Sequence, residues 1–164
     1  MIDEHVILFD LGNVLMDFDH HIAVRKIKPF CGLDEKDIYN LFFDSTITDR
    51  FEKGLISSFD FFQEAKRLLN AKISYEEFVP IWNEIFIPHP GMLEVLELLK
   101  DNYSLYLVSN INELHFKYLE EKFKEYFRYF SYIFLSYELN LRKPDEKIYK
   151  FILDYLKLPA PNVI

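Results

Sequence analysis

Short apolar runs and helical periodicities alternate along the chain. Val6-Ile7-Leu8-Phe9 is an uninterrupted apolar run bounded by turn-forming residues, which predicts a short strand covered on both faces. The segments 103–108 and 132–135 have the same character and predict two further buried strands. Strands of this kind are typical of a parallel sheet with helices on both faces.

The stretch from residue 19 to residue 86 shows helical patterns and no convincing strand. Ser74 followed by Glu77 predicts a capping box at the start of the last helix of this stretch. Pro88-His89-Pro90-Gly91 cannot continue a helix, so we place a boundary there. The prediction is a helical insert over 17–88 and a core formed by 1–16 and 89–164. Apolar residues recur at spacings of three and four in three groups: Ile38, Leu41 and Phe42; Phe59, Phe62, Ala65 and Leu69; and Tyr75, Phe78, Val79, Trp82, Ile85 and Phe86.

After Gly91 helices and strands alternate, which predicts an α/β fold with right-handed crossovers between parallel strands. Helices are expected over 92–99 and 114–127, the latter as one segment or a pair. A last helix is expected with Pro144 in its first turn. Residues 162–164 begin another apolar run that stops at once, and buried strands usually need about five residues. We therefore expect a core that is cut short.

Composition and charge narrow the function classes. The chain has 164 residues, with 19 Lys and Arg against 27 Asp and Glu, and a formal net charge of -8. This balance disfavours nucleic acid as a partner. Cys31 is the single cysteine, so an internal disulfide and a thiolate zinc cluster are both excluded. The start of the chain has no basic targeting region and no stretch is long enough to span a bilayer, so we expect a cytoplasmic protein without a membrane partner. No signal indicates an oligomeric state.

Polar residues follow the predicted strands. Asp10 follows the first strand, Ser109-Asn110 follows the second, and Lys143 lies in the loop before the last helix. Because the carboxyl ends of parallel strands share one edge of the sheet, we expect these groups to converge. A carboxylate can attack phosphorus, while a hydroxyl and an ammonium hold phosphate oxygens, so the set predicts phosphoryl chemistry on a small molecule.

The turn after Asp10 and the histidines carry two further expectations. Gly12 and Asn13 both tolerate positive φ, which allows a sharp turn that directs backbone N–H groups towards the ligand of Asp10. For the histidines at 20, 21, 89 and 115, surface or capping roles are expected rather than metal ligation.

Three segments resemble, in order, three motifs of the haloacid dehalogenase-like (HAD) hydrolases. They are Val6-Ile7-Leu8-Phe9-Asp10-Leu11-Gly12-Asn13-Val14, Leu107-Val108-Ser109-Asn110 and Leu141-Arg142-Lys143-Pro144-Asp145. The Asp-Leu-Gly-Asn form with Asp17-Phe18-Asp19 behind it is similar to a bacterial subgroup that includes sugar-1-phosphate phosphatases. The resemblance implies a three-layer Rossmann-like α/β core with a parallel sheet and an inserted α-helical cap. It also implies a magnesium-dependent phosphatase for a small phosphorylated metabolite. Asp10 would be the nucleophile, and Ser109 and Asn110 would bind phosphate. Lys143 would contact both Asp10 and the phosphate. Asp10 and the Gly12 carbonyl would bind Mg²⁺.

Two departures from the family pattern matter. Gly12 stands where family phosphatases carry a second aspartate that acts as general acid and base. Asp17 or Asp19 is a candidate replacement for that aspartate. The simpler interpretation is that both are solvated acids of a loop. The family's acidic metal-binding pair would fall beyond Ile164, so weak magnesium binding and low phosphatase activity are expected of the chain as given. Two alternatives stay open: a metal-independent 2-haloacid dehalogenase, and a HAD-like protein that binds without catalysis.

Overall fold

The structure, a computed structural model, describes residues 5–43 and 46–164. A parallel sheet with strand order β1-β4-β5 forms its centre, and Val163 pairs in parallel with Val6 on the other side of β1. The three strands predicted from apolar runs are thus confirmed, and the segment that begins at residue 162 does join the sheet. In the described residues the strands are β1 Val6–Phe9, β2 Met16–Phe18, β3 Phe86–Pro88, β4 Ser104–Ser109 and β5 Phe130–Leu135.

Helices fill the connections between the strands. Between β2 and β3 lie α1 His20–Ile27, α2 Glu35–Phe43, α3 Thr46–Glu52, α4 Ser58–Leu69 and α5 Tyr75–Asn83, which together we call the helical insert. The remaining helices are α6 Met92–Leu99, α7 Glu113–Lys122, α8 Lys124–Phe127, α9 Ser136–Leu139 and α10 Glu146–Leu156, with 3-10 turns at Lys28–Phe30 and Ala160–Asn162. None of the helices in the described ranges is long and apolar enough to cross a membrane.

Side chains that alternate along β4 build a three-layer core. Leu105 and Leu107 pack with residues of α6 and α7 on one face of the sheet, such as Leu96 and Leu119. Val108 points to the opposite face, where it packs with Phe134, Ile148 and Ile152. Because successive side chains of a strand face opposite ways, one strand supplies both halves of the core. The α/β class with helices on both faces of a parallel sheet is confirmed.

The helical insert has its own aromatic core. Phe42, Phe61, Phe78 and Trp82 are fully buried and in ring contact with one another, with Phe42 and Trp82 centroids 5.1 Å apart. The predicted capping box is confirmed: the Glu77 backbone N–H donates to the Ser74 hydroxyl, and the Ser74 N–H donates to the Glu77 carboxylate. Burial of large aromatic side chains explains why this segment is stable as a separate cluster.

Two expectations about the connections are wrong. The last helix of the insert ends at Asn83, although a helix through Phe86 was expected. Phe86–Pro88 instead forms an antiparallel pair with Met16–Phe18, and neither of these short strands was predicted. Each strand has only three residues, too few to show a period of two. The last helix begins at Glu146 with Asp145 as N-cap, so Pro144 lies outside its first turn. The Asp145 carboxylate accepts from the Lys147 N–H and fixes that start.

Hydrogen bonds join the insert to the rest of the molecule. The Ser136 hydroxyl donates to the Glu52 carbonyl oxygen at 2.6 Å, and the Asn140 side chain donates to the Lys53 carbonyl oxygen at 2.7 Å. On the other side, the His115 ring contacts the Trp82 carbonyl oxygen at 2.9 Å. These bonds hold the helical insert over the carboxyl ends of the strands.

Candidate active site

The three strand-end segments meet at one cavity of about 250 Å³. Asp10 follows β1, Ser109 ends β4, and Lys143 comes from the loop before α10. The parallel sheet brings Asp10 and Ser109 together because its strands end at the same edge, and the loop between α9 and α10 brings Lys143 to that edge. Gly12, Asn110 and Lys143 line the same cavity, so every site residue expected from the sequence lies there, while the individual roles stay predictions.

Asp10 and Lys143 form an ion pair. Lys143 Nζ lies 2.7 Å from Asp10 Oδ1, and the side-chain exposures are 19% for Lys143 and 47% for Asp10. Oδ1 also accepts from the Leu11 backbone N–H at 2.7 Å. Within the described part of the chain, no hydrogen bond or ion pair engages Oδ2 of Asp10. One carboxylate oxygen is therefore held in place while the other faces the cavity uncommitted.

Asn110 positions the loop that carries Lys143. Its Oδ1 accepts from the Lys143 backbone N–H at 2.8 Å, and its Nδ2 donates to the Lys143 carbonyl oxygen at 2.8 Å. Lys143 Nζ in turn lies 3.3 Å from the Val108 carbonyl oxygen. The amide thus clamps the backbone of Lys143 from both sides, and the direct contact of Asn110 with a substrate stays a prediction.

Ser109 and the Gly12 carbonyl supply uncommitted oxygens. Ser109 is 3% exposed, and its hydroxyl has no hydrogen-bond partner among the residues that the structure describes. The carbonyl oxygen of Gly12 likewise accepts no hydrogen bond from residues 5–43 or 46–164. Buried polar groups normally have partners, so both oxygens are suited to a ligand.

Close packing, rather than its backbone angles, favours glycine at position 12. Asn13 has φ of +57° and makes the sharp turn, whereas Gly12 is outside the positive-φ region. A Cβ built on Gly12 would lie 2.8 Å from the Phe18 ring, so a side chain here would require that ring to shift. Of the two residues expected to tolerate positive φ, Asn13 adopts it and Gly12 does not, and the sharp turn expected here is present.

The helical insert contributes cavity residues that the sequence did not indicate. They are His20, Phe43, Thr48, Glu52 and Trp82. The helical periodicity that placed Phe43 and Trp82 in a core gives no sign that the same residues also face a cavity. For His20 the expected surface or capping role is wrong, since its ring lies in the cavity wall and its Nδ1 is buried.

Two titratable residues of the cavity are already engaged. The pKa of Glu52 is raised by burial, and its carboxylate pairs with Arg142 at 3.0 Å. His115 is 5% exposed, and burial lowers its pKa to about 3. Its Nδ1 contacts the Asn112 side chain at 3.0 Å and its Nε2 contacts the Trp82 carbonyl oxygen, so both ring nitrogens are committed.

Asp17 and Asp19 lie outside the cavity lining. Asp17 contacts the His89 ring at 3.0 Å on the molecular surface. Asp19 is the N-cap of α1, accepts from the His21 N–H, and pairs with Arg25 at 3.4 Å. Both fit the simpler interpretation of solvated acids with structural partners. Across residues 5–43 and 46–164, no group of three or more His, Cys, Asp and Glu side chains has a geometry suited to a metal ion.

Comparison with known proteins agrees with this arrangement. A family model described as haloacid dehalogenase-like hydrolase matches residues 5–164. A D-ribitol-5-phosphate phosphatase of Bacteroides thetaiotaomicron is 25% identical over 156 residues, which cover 90% of this chain and 74% of that relative. A solved HAD family enzyme from the same organism, in complex with magnesium and inorganic phosphate, has a TM-score of 0.84 and 25% identity, covering 97% of this chain and 82% of that one. A solved L-2-haloacid dehalogenase shares the fold, with a TM-score of 0.65 and 18% identity over 97% of this chain and 75% of that one.

Proposed function

This chain belongs to the haloacid dehalogenase-like hydrolases, since their family model matches residues 5–164, and we propose that it releases phosphate from a small phosphorylated polyol or sugar. One observation carries the proposal. The Asp10 carboxylate has one oxygen held by the Lys143 ammonium at 2.7 Å and the other uncommitted, in a cavity that also contains the Ser109 hydroxyl. The named relative that acts on D-ribitol 5-phosphate supports it.

The geometry supports a covalent mechanism. Oδ2 of Asp10 attacks phosphorus, the bond to the leaving-group oxygen breaks, and the phosphoryl group becomes bonded to Asp10, while the leaving oxygen takes a proton from solvent water. Ser109 and Lys143 hold the phosphate oxygens and offset their charge. Water then attacks the same phosphorus, and the bond to Asp10 breaks to restore the carboxylate. Because no acid stands at Gly12, leaving groups of low pKa are expected to depart most readily.

The residues present fit a magnesium ion that keeps most of its ligands as water and phosphate. Mg²⁺ prefers oxygen and is commonly held by one or two carboxylates together with substrate phosphates. The Asp10 carboxylate and the uncommitted Gly12 carbonyl oxygen are adjacent oxygen donors that would hold it. When bound, the ion neutralises negative charge between the carboxylate and the phosphate.

Cavity size limits the substrate. At about 250 Å³ the cavity is smaller than the 300–1,000 Å³ typical of drug-sized ligands. Its walls combine polar groups at the strand ends with the rings of Phe18, Phe43 and Trp82. We therefore propose a phosphorylated pentitol, pentose or similarly small molecule, whose hydroxyls meet the polar side and whose C–H groups meet the rings.

Phosphate release from a panel of pentitol, pentose and hexose phosphates tests the proposal. We expect release that rises at least about tenfold with added magnesium and returns to background with EDTA, because magnesium offsets the repulsion between Asp10 and phosphate. Release no faster than in enzyme-free controls, with and without magnesium, would overturn it.

Two further measurements separate the alternatives. Halide release from a 2-haloacid without magnesium would favour a dehalogenase, although no arginine belongs to the described cavity lining to bind the halide. Calorimetric binding of magnesium and phosphate without turnover of any substrate would favour a non-catalytic protein.

Replacing Lys143 by Gln is expected to lower the rate of phosphate release by about 10²–10³-fold, because a fixed positive charge beside the developing anion is lost. Initial rates at saturating substrate measure this. Lys150→Gln is the matched control, since its ion pair with Glu146 lies on the surface with side-chain exposures of 71% and 85%. Equal rates for the two variants would contradict the role given to Lys143.

A further inference from the structure

Phe18 occupies the space that a side chain at position 12 would need. Its ring lies 2.8 Å from the Cβ position of Gly12, and Phe18 is the last residue of β2, just before α1. Gly12 has no side chain, and one placed there would have to displace the Phe18 ring, so the site lacks an acid–base group at this position. Any group that handles a proton opposite Asp10 has to come from another part of the cavity wall.

His20 lies next to Phe18 in that wall. The two ring centroids are 4.9 Å apart, and the His20 ring also stacks on Phe43 with centroids 3.8 Å apart. Nδ1 of His20 is buried and has no hydrogen-bond partner among the described residues. Nε2 also has no hydrogen bond to any residue of 5–43 or 46–164. A buried, unpartnered polar atom in a ligand cavity requires an explanation.

The other titratable groups near the cavity are committed elsewhere. Both ring nitrogens of His115 have partners, and the Glu52 carboxylate pairs with Arg142. Asp17 and Asp19 are held by His89 and Arg25 outside the cavity lining. Asp10 and Lys143 form the reacting pair. Among the other titratable side chains of the described lining, His20 is the one whose polar atoms have no hydrogen-bond partner.

We infer that His20 is the base that activates the water which hydrolyses the phosphoryl group on Asp10. This inference rests on the proposed function. It assigns to a histidine of the helical insert the proton transfer that no side chain at position 12 can perform.

The step balances as follows. A ring nitrogen of His20 takes one proton from water while the water oxygen bonds to phosphorus. The bond between phosphorus and Asp10 Oδ2 breaks, and its electron pair returns to the carboxylate. Inorganic phosphate leaves, and the imidazolium of His20 releases its proton to solvent.

The electrostatic setting agrees with a base. Burial is the main cause that lowers the pKa of His20 to about 4, with Asp19 opposing the shift and His21 adding to it, so the ring is neutral at pH 7. A phosphoryl dianion on Asp10 would add negative charge to the same cavity and raise that pKa towards the range of an effective base. Lys143 and Glu52 are the remaining charged groups of the lining.

Burst kinetics with p-nitrophenyl phosphate test the inference. This activated ester phosphorylates Asp10 without help from an acid, so loss of the base slows only hydrolysis of the intermediate. For His20→Gln we expect a burst of about one nitrophenol per enzyme, followed by a steady-state rate about 10²–10³-fold below wild type. His20→Phe should show the same burst, because it keeps the ring stack on Phe43 and lacks only the nitrogens.

Controls separate the possible failures. His21→Gln, whose residue stacks on Tyr39 at the surface, should behave as wild type. Three results would overturn the role of His20. They are a low rate without a burst in both His20 variants, a burst in the Gln variant alone, and a burst in Glu52→Gln instead. If wild type releases no nitrophenol above the rate of Asp10→Asn, the proposed function itself fails.

Discussion

Asp10→Asn is expected to lower phosphate release by at least about a thousandfold, equivalent to about 4 kcal/mol of transition-state stabilisation. The uncharged amide cannot act as nucleophile. The amide oxygen can still accept from the Leu11 N–H, so the fold should be retained. Initial rates of phosphate release, together with a thermal unfolding curve for each protein, measure the effect.

Asp10→Asn should also bind inorganic phosphate more tightly than wild type. A carboxylate and a phosphate charge about 4 Å apart repel by about 4 kcal/mol at an effective dielectric constant near 20, and the amide removes that repulsion. Calorimetry without magnesium would show the change. Asp154→Asn, at an exposed position on α10, is the control and should match wild type in both measurements. Normal turnover by Asp10→Asn would contradict the nucleophile role.

Among the variants proposed for this protein, Gly54→Ala is expected to lose the most stability, about 2–4 kcal/mol. Its Tm should fall by about 2–4 °C for each kcal/mol. Gly54 has φ of +64°, which a residue with a Cβ adopts only with strain. A Cβ there would also overlap the Tyr137 carbonyl, and this backbone contact joins the helical insert to α9. Either the insert moves away from the sheet or the loop changes shape, and both outcomes disturb the cavity.

Gly32→Ala provides the comparison for that variant. Gly32 lies outside the positive-φ region, and a Cβ built there has no atom within 4 Å. Its Tm should stay within a few degrees of wild type, or rise slightly because the unfolded chain loses entropy. Equal Tm values for the two variants would show that the contact between Gly54 and Tyr137 contributes little.

Local sequence was sufficient for the elements with a clear period or a cap. The apolar run at Val6–Phe9, the capping box at Ser74 and the helix over Met92–Leu99 were all predicted and are all present. The expected helical segment or pair over 114–127 is a pair, α7 and α8, divided at Phe123. The short pair of β2 and β3 was missed because its hydrogen bonds join segments about seventy residues apart.

The sequence by itself determined the strands and helices with a clear hydrophobic period, because that period is a local property, and it placed Asp10 and Ser109 at the ends of strands and Lys143 in the loop before the last helix. Only the tertiary structure decided that Phe18 fills the space beside Gly12 and that His20 enters the cavity. Those contacts depend on how the helical insert lies over the sheet. That placement is fixed by packing and hydrogen bonds between distant segments, for which the sequence carries no local pattern.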